Sequence, residues 1–338
     1  MIRPRLPIDF IDEEIVSTRL SENNLQIRFS PMQRAYYSLV RPLIPIWLRQ
    51  SMQTGYHNGR RYNDNFIDNS LVQFVMSNPF ARSAMDKLYP QNASSAIVLT
   101  HDVETEVGMR SIPTIMDLES KYGFRSSWNI VPYKYPIDEG VIRHIKEMGH
   151  EIGIHGFNHD GKLYYSEKVF NERAHHINRA LRQYDAVGFR SPMVHRNLLW
   201  LQKLDIQYDA SCFDYDPFQP FPGGTGSIWP FIAGKFVELP YTLPQDHTLF
   251  YVLGRKDIDI WKSKANWVIA NHGVVLTLTH PDYLMEKEHL KYYEELLVYL
   301  KEIKNAWHCL PRELARWWKE QHGMQKHSRQ IQKATELT

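Results

Sequence analysis

From about Ser94 onward the sequence predicts an α/β fold with a parallel central sheet, either a barrel or doubly wound. Three observations carry that expectation: short apolar runs rich in β-branched and aromatic residues, amphipathic stretches between them, and the alternation of the two over roughly 230 residues. In order, AIVLT (96–100), SSWNIV (126–131), EIGI (151–154), AVGF (186–189), IQY (206–208), FVEL (236–239) and VVLTLT (274–279) read as buried parallel strands. After the first run, Ile112, Ile115, Leu118 and Tyr122 share a helical face, and Gly123 stands where a C-terminal cap belongs. Val141, Ile145 and Met148 repeat the arrangement and are closed by Gly149. A longer helix carries Val169, Phe170, Ala174, Ile177, Leu181 and Tyr184, with Ser166 placed to cap its start. Tyr292 to Ile303 reads as another helix.

Outside this region the pattern weakens. Residues 1–92 read as an N-terminal extension, docked on the main unit or peripheral to it, with residues 93–322 the main α/β unit and 323–338 a polar, frayed tail. Within the extension, TGYHNGRRYNDN reads as loop and NSLVQFVMS as one short amphipathic helix. Residues 41–52, RPLIPIWLRQSM, mix Arg41 and Arg49 with Leu43, Ile44, Ile46, Trp47 and Leu48. That mixture suits either docking on the main unit or weak contact with a membrane surface, and its two prolines argue against one long regular helix.

Composition narrows the function classes. With 43% apolar and 23% charged residues the 338-residue chain has the make-up of a globular protein, and a net charge of +2 without a basic stripe excludes nucleic acid as the expected partner. Cys212 and Cys309 form no C-x-x-C pair and no disulfide framework, and Cys212 reads as a buried small residue. The start, MIRPRLPIDFIDEE, puts charges where a signal peptide needs an apolar run, and no apolar run is long enough to span a bilayer. A cytoplasmic location is expected, peripheral to the inner membrane face if residues 41–52 touch it. Oligomeric state is left open.

The chemistry lies at the residues just past each strand. AIVLT runs into His101, Asp102, Val103 and Glu104; EIGI into His155, with His159 four residues on; AVGF into Arg190; IQY into Asp209; VVLTLT into His280. Ionisable side chains at the C-terminal ends of parallel strands are how α/β barrels assemble active sites. The His155–His159 spacing resembles a zincin pair, but that motif needs Glu after the first His, and here the position is Gly156. Taken jointly, one carboxylate and two imidazoles make a mixed O/N metal site, a second carboxylate is free to act as base, and another His can act as acid. Hydrolysis of an amide needs those parts.

At these residues the sequence resembles the polysaccharide deacetylases of the NodB-homology type, carbohydrate esterase family four, over roughly Ser94 to Gln321. LTHDVET looks like the D-V-E variant of the family's first motif, which implies Asp102 as base and Glu104 as metal ligand. HGFNH matches the second motif, implying His155 and His159 as the other ligands, with Gly156 in place of the usual hydroxyl residue. Arg190-Ser191-Pro192 matches the third, with Arg190 holding the base. Asp209-Ala210-Ser211 matches the fourth loosely, without its Trp, and would make Asp209 the residue that orients the catalytic histidine. LTLTH approximates the fifth and gives His280 as acid. The resemblance implies a distorted (β/α) barrel of about seven parallel strands, one divalent ion (Zn²⁺, or Co²⁺, Ni²⁺, Fe²⁺ or Mn²⁺) and a carbohydrate N-acetyl substrate. Asp160, beside the second ligand, and Gln245 and Asp246, on the loop after FVEL, are expected substrate contacts, whereas Tyr241 and Phe250 are expected to pack. Two rival readings are another amidohydrolase reaction, on a cyclic ureide or formamide, and a catalytically idle carbohydrate-binding protein.

Overall fold

The computed structural model describes residues 11, 29–57, 66–219, 221, 223–286 and 288–321. The polar tail over 323–338 and most of residues 1–28 lie outside the described residues. Strands β1 (Ser95–Val103), β2 (Ser126–Ile130), β3 (Glu151–His155), β4 (Gly188–Arg190), β5 (Tyr208–Asp209), β6 (Phe231–Ala233), β7 (Phe236–Glu238), β8 (Val274–Leu276) and β9 (Ala306–His308) form one sheet among the described residues. Its order is β6-β7-β5-β4-β3-β2-β1-β8, with β9 also on β1. Every pairing is parallel except β6 with β7. The sheet curls, and the chain after β7 completes the ring: Thr242 and Leu243 N–H donate to the Leu276 carbonyl at 3.1 and 3.2 Å. The expected distorted barrel is therefore observed, with β6 and β9 as short additions.

β1 is the spine. All nine of its residues are buried. One edge serves β8 and the other is shared, β9 pairing with residues 95–97 and β2 with 99–103. Alternation along a strand sends neighbouring side chains to opposite faces. Thr100 and Asp102 accordingly reach Arg190, while His101, between them, bonds Glu119 of the helix outside.

The outer helices obey their sequence signals. Helix α1 (Pro31–Ala35), α2 (Ile46–His57), α3 (Ser70–Ser77) and α4 (Pro79–Met85) precede the barrel. The second proline of the 41–52 segment, Pro45, directly precedes α2, so the regular helix runs past that segment rather than being broken inside it. Helix α5 (Glu106–Lys121) starts at Thr105, whose Oγ1 accepts from Gly108 N, and buries Ile112, Ile115 and Met116. In α6 (Glu139–Glu147) the buried pair is Ile142 and Ile145; Met148, expected on that face, is 43% exposed. Helix α7 (Glu167–Tyr184) is capped by Ser166 and buries Phe170, Ala174, Ile177, Leu181 and Tyr184. Beyond it come α8 (Leu198–Leu201), α9 (Asp259–Ala270), α10 (Pro281–Leu284) and α11 (His289–Lys301). Leu71, Val72 and Val75 of α3 belong to the same apolar core as the barrel strands. No helix among the described residues is long and apolar enough to cross a membrane.

Candidate active site

Three ligand atoms, one each from Glu104, His155 and His159, lie within 4.8 Å of one another at the C-terminal ends of β1 and β3. His155 ends β3. Its Nδ1 lies 3.1 Å from the Arg190 carbonyl, which can only accept, so Nδ1 carries the proton and Nε2 keeps its lone pair. Burial pushes the imidazole down to about 4, which holds it neutral, as a ligand must be. His159 reaches the same point because the chain turns back through two left-handed residues, Gly156 (φ 68°) and His159 itself (φ 59°). The Nε2 atoms of both histidines are buried without a hydrogen-bond partner. His159 Nε2 stands 3.0 Å from Glu104 Oε1 without hydrogen-bonding geometry, as two lone-pair donors aimed at one cation would. The donor set, one carboxylate oxygen and two imidazole nitrogens, fits a borderline divalent ion such as Zn²⁺.

Position 156 has no room for a side chain. A Cβ there would meet Cγ and Cδ of Pro192 at 2.4 Å, and the backbone is left-handed. Glu104 is held from behind: Asp282 accepts its backbone N–H at 3.1 Å and also accepts the Thr105 hydroxyl.

Asp102 stands beside this cluster, 2% exposed. Its Oδ1 accepts from Arg190 Nη1 at 3.0 Å and Asn129 Nδ2 at 2.9 Å, and its Oδ2 lies 3.6 Å from His155 Nε2. Burial alone would raise this carboxyl, but its electrostatic interactions with His155, Arg190 and His280 and the Asn129 bond outweigh it and hold Asp102 below its ordinary value. Arg190, wholly buried, is fixed in turn by the Ala210 carbonyl and Thr100 Oγ1, both at 2.8 Å.

His280 borders the cluster, its Nε2 3.8 Å from Glu104 Oε1. Its Nδ1 is bonded to Asp246 Oδ1 at 2.7 Å, and its backbone N–H donates to Asp246 Oδ2 at 2.7 Å. Burial would lower this imidazole, yet Asp246, with Glu104 and Asp102 behind it, lifts it to about 9.

The structure corrects two sequence expectations. Asp209 does not orient His280: it is wholly buried, it is bonded to Ser211 Oγ (2.7 Å) and Ser211 N (3.2 Å), and it lies against Glu238. Burial and the Asp209 charge push the Glu238 carboxyl well up, so Glu238 holds the proton of that pair. Asp246 takes the orienting place, and because both its oxygens are engaged and it is 0% exposed, it is no rim contact for substrate. Asp160 lines a small pocket beside His159 and forms a two-bond ion pair with Arg173, both bonds at 2.7 Å. Gln245 is half-buried and donates to the Tyr241 hydroxyl at 3.2 Å. Tyr241, Phe250 and Cys212 are buried, as expected. Asn129 and Asp282 were not singled out from the sequence. Asn129 carries a signal, being an amide inside a wholly buried strand, where an unpaired polar group is costly.

No family model matches the chain, and no curated protein matches it. Solved structures do. A protein assigned as a polysaccharide deacetylase from Mycobacterium smegmatis aligns at 17% identity over 69% of this chain and 93% of its own, with a TM-score of 0.57. Another so assigned, from Pseudomonas aeruginosa, aligns at 16% identity over 69% and 94%, with a TM-score of 0.55. The allantoinase PuuE aligns at 17% identity over 69% and 93%, with a TM-score of 0.53. The chain thus has the mostly parallel, distorted (β/α) barrel fold of these proteins.

Proposed function

We propose that this protein is a metal-dependent hydrolase of the polysaccharide deacetylase family, in its D-V-E variant, that removes N-acetyl groups from a carbohydrate. The observation that carries the reading is an acid–base pair beside a ligand cluster, Asp102 3.6 Å from His155 and His280 3.8 Å from Glu104. On one side Arg190 and Asn129 keep Asp102 ionised; on the other Asp246 keeps His280 protonated. Two titratable groups whose surroundings push their affinities for protons apart are the mark of assigned base and acid roles.

Glu104, His155 and His159 would hold the cation, which when bound polarises the amide carbonyl and makes water more acidic. Asp102 accepts the proton of the attacking water on Oδ2, since Oδ1 is taken by Arg190 and Asn129. His280 donates from Nε2 to the departing amine nitrogen, while Asp246 on Nδ1 stabilises the imidazolium before transfer. The products are acetate and a free amino sugar.

The test is metal analysis of the purified protein together with an acetate-release screen over nucleotide-linked, lipid-linked and polymeric N-acetyl sugars. Asp102→Asn is expected to lower turnover by at least about 10²-fold while leaving the bound metal stoichiometry unchanged. Acetate release at the normal rate by that variant would overturn the base assignment. A second reading, hydrolysis of another C–N bond such as that of a cyclic ureide, draws support from the fold shared with an allantoinase. Turnover of small cyclic amides with no acetate release from any N-acetyl sugar would favour it.

A further inference from the structure

The segment from Phe29 to His57 lies along the rim of the candidate site and is tied down at two places. At its first end Tyr37 is 7% exposed, its hydroxyl is 3.2 Å from His195 Nε2, and its ring stands edge-on to Phe29 and His195. Tyr37 also abuts Gly161, two residues beyond His159: a Cβ on that glycine would meet Tyr37 Cδ1 at 2.7 Å. Ser38 and the Arg34 carbonyl bond the Tyr165 hydroxyl at 3.1 and 2.8 Å. At the other end Thr54 Oγ1 donates to the Tyr251 carbonyl at 3.1 Å, on the turn over 247–252 that Asp246 opens. One side of the segment is therefore anchored to both loops that flank the acid and the ligands.

Much of the rest of the segment is apolar and exposed. Met32 is 80% exposed, Leu39 69%, Leu43 82% and Met52 57%, with Val40 and Leu48 partly so. Scattered apolar residues are ordinary on a protein surface, but a run of large ones on one short segment is not. The charge pattern of the same stretch names the partner. Residues 29–57 hold three arginines, Arg34, Arg41 and Arg49, and no Asp or Glu, in a chain whose net charge is only +2. Large aliphatic side chains set among arginines, without acids, match the acyl boundary and phosphate level of an anionic phospholipid surface.

We infer that residues 29–57 dock on an anionic phospholipid bilayer and hold the mouth of the catalytic site against it, so that the substrate is a glycan carried on a lipid. The substrate half of this statement rests on the deacetylase reading; the docking half does not. The full chain is tested by co-sedimentation with vesicles of phosphatidylcholine, with and without phosphatidylglycerol. Binding to the anionic vesicles is expected to exceed binding to the neutral ones by about tenfold and to weaken in high salt. The double substitution Leu39→Glu with Leu43→Glu, at two exposed positions outside the catalytic machinery, is expected to abolish sedimentation. It should leave the circular dichroism spectrum and acetate release from a soluble N-acetyl oligosaccharide unchanged, while release from a lipid-linked substrate in vesicles falls by about tenfold or more. No sedimentation by the parent chain, or equal sedimentation by parent and variant, would overturn the docking. So would a dimer in sedimentation velocity that this variant dissolves, since the face would then belong to a second copy. Vesicle binding without acetate release from any N-acetyl sugar would sink the catalytic reading and leave the docking standing.

Discussion

Asp246 decides the chemistry available to His280. Its two oxygens fix the imidazole through Nδ1 and the backbone through N–H, so one carboxylate sets both the tautomer and the position of the ring. With its proton affinity lifted to about 9, His280 stays charged through neutral pH and can act as acid there. Replacing Asp246 by Asn removes the largest raising influence, so the alkaline limb of the pH–rate profile is expected to move to lower pH, toward the ordinary histidine value of 6.5. A drop in kcat/KM of about 10²-fold should accompany it. A profile whose alkaline limb stays in place would show that another group sets it. At this scale the sequence was legible for residue types and partly blind to pairings. Asp102, Glu104, His155, His159, Arg190 and His280 stand out because each comes just after an apolar run. Which of two carboxylates, Asp209 or Asp246, reaches His280 depends on how the loop after β7 folds back, and that is a long-range matter no local pattern encodes.

Elements with a clean apolar rhythm were readable, and those with a polar residue facing inward were not. Helix α9 is the instructive case. Its buried face holds Trp261, Ala265 and Val268 but also Lys264, 0% exposed, so the sequence shows no continuous apolar stripe. Lys264 is accommodated by Asp214 and the Phe66 carbonyl, both of which accept from its ammonium. Burial raises Asp214 to about 7 in spite of Lys264. Lys264→Met should therefore destabilise the fold by about 3–5 kcal/mol where Asp214 is ionised, because one partner is left buried without its counter-charge. The raised value fixes the sign of the pH dependence. A carboxyl that holds its proton more tightly when folded than when unfolded loses stability as pH rises, so the cost of the substitution should be smaller at about pH 5 than at about pH 8. Urea denaturation of parent and variant at the two pH values measures it; an equal cost at both would exclude Asp214 as the origin. Strands β6 and β9 escaped notice for a simpler reason, being three residues each.

The whole molecule is a ring whose closing join carries no strand ladder among the described residues. Between β1, β2 and β3 the strands share ladders of five and four residue pairs. Between the chain after β7 and β8, the Leu276 carbonyl receives Thr242 and Leu243, and the Thr242 hydroxyl donates to the Val274 carbonyl and accepts from Leu276 N. Asp246 lies three residues past that join and His280 four past Leu276. Asp102, Glu104 and His155 therefore sit at the continuous part of the wall, whereas His280 and Asp246 border the gap. Local openings concentrate where backbone bonds are few. Amide hydrogen exchange is expected to be faster at Thr242 and Leu243 than at Val98 or Trp128, although all four are buried. Equal protection would mean that side-chain packing alone secures the join. Under the proposed function, such a seam would let the half carrying His280 and Asp246 yield before the half carrying Glu104, His155 and His159.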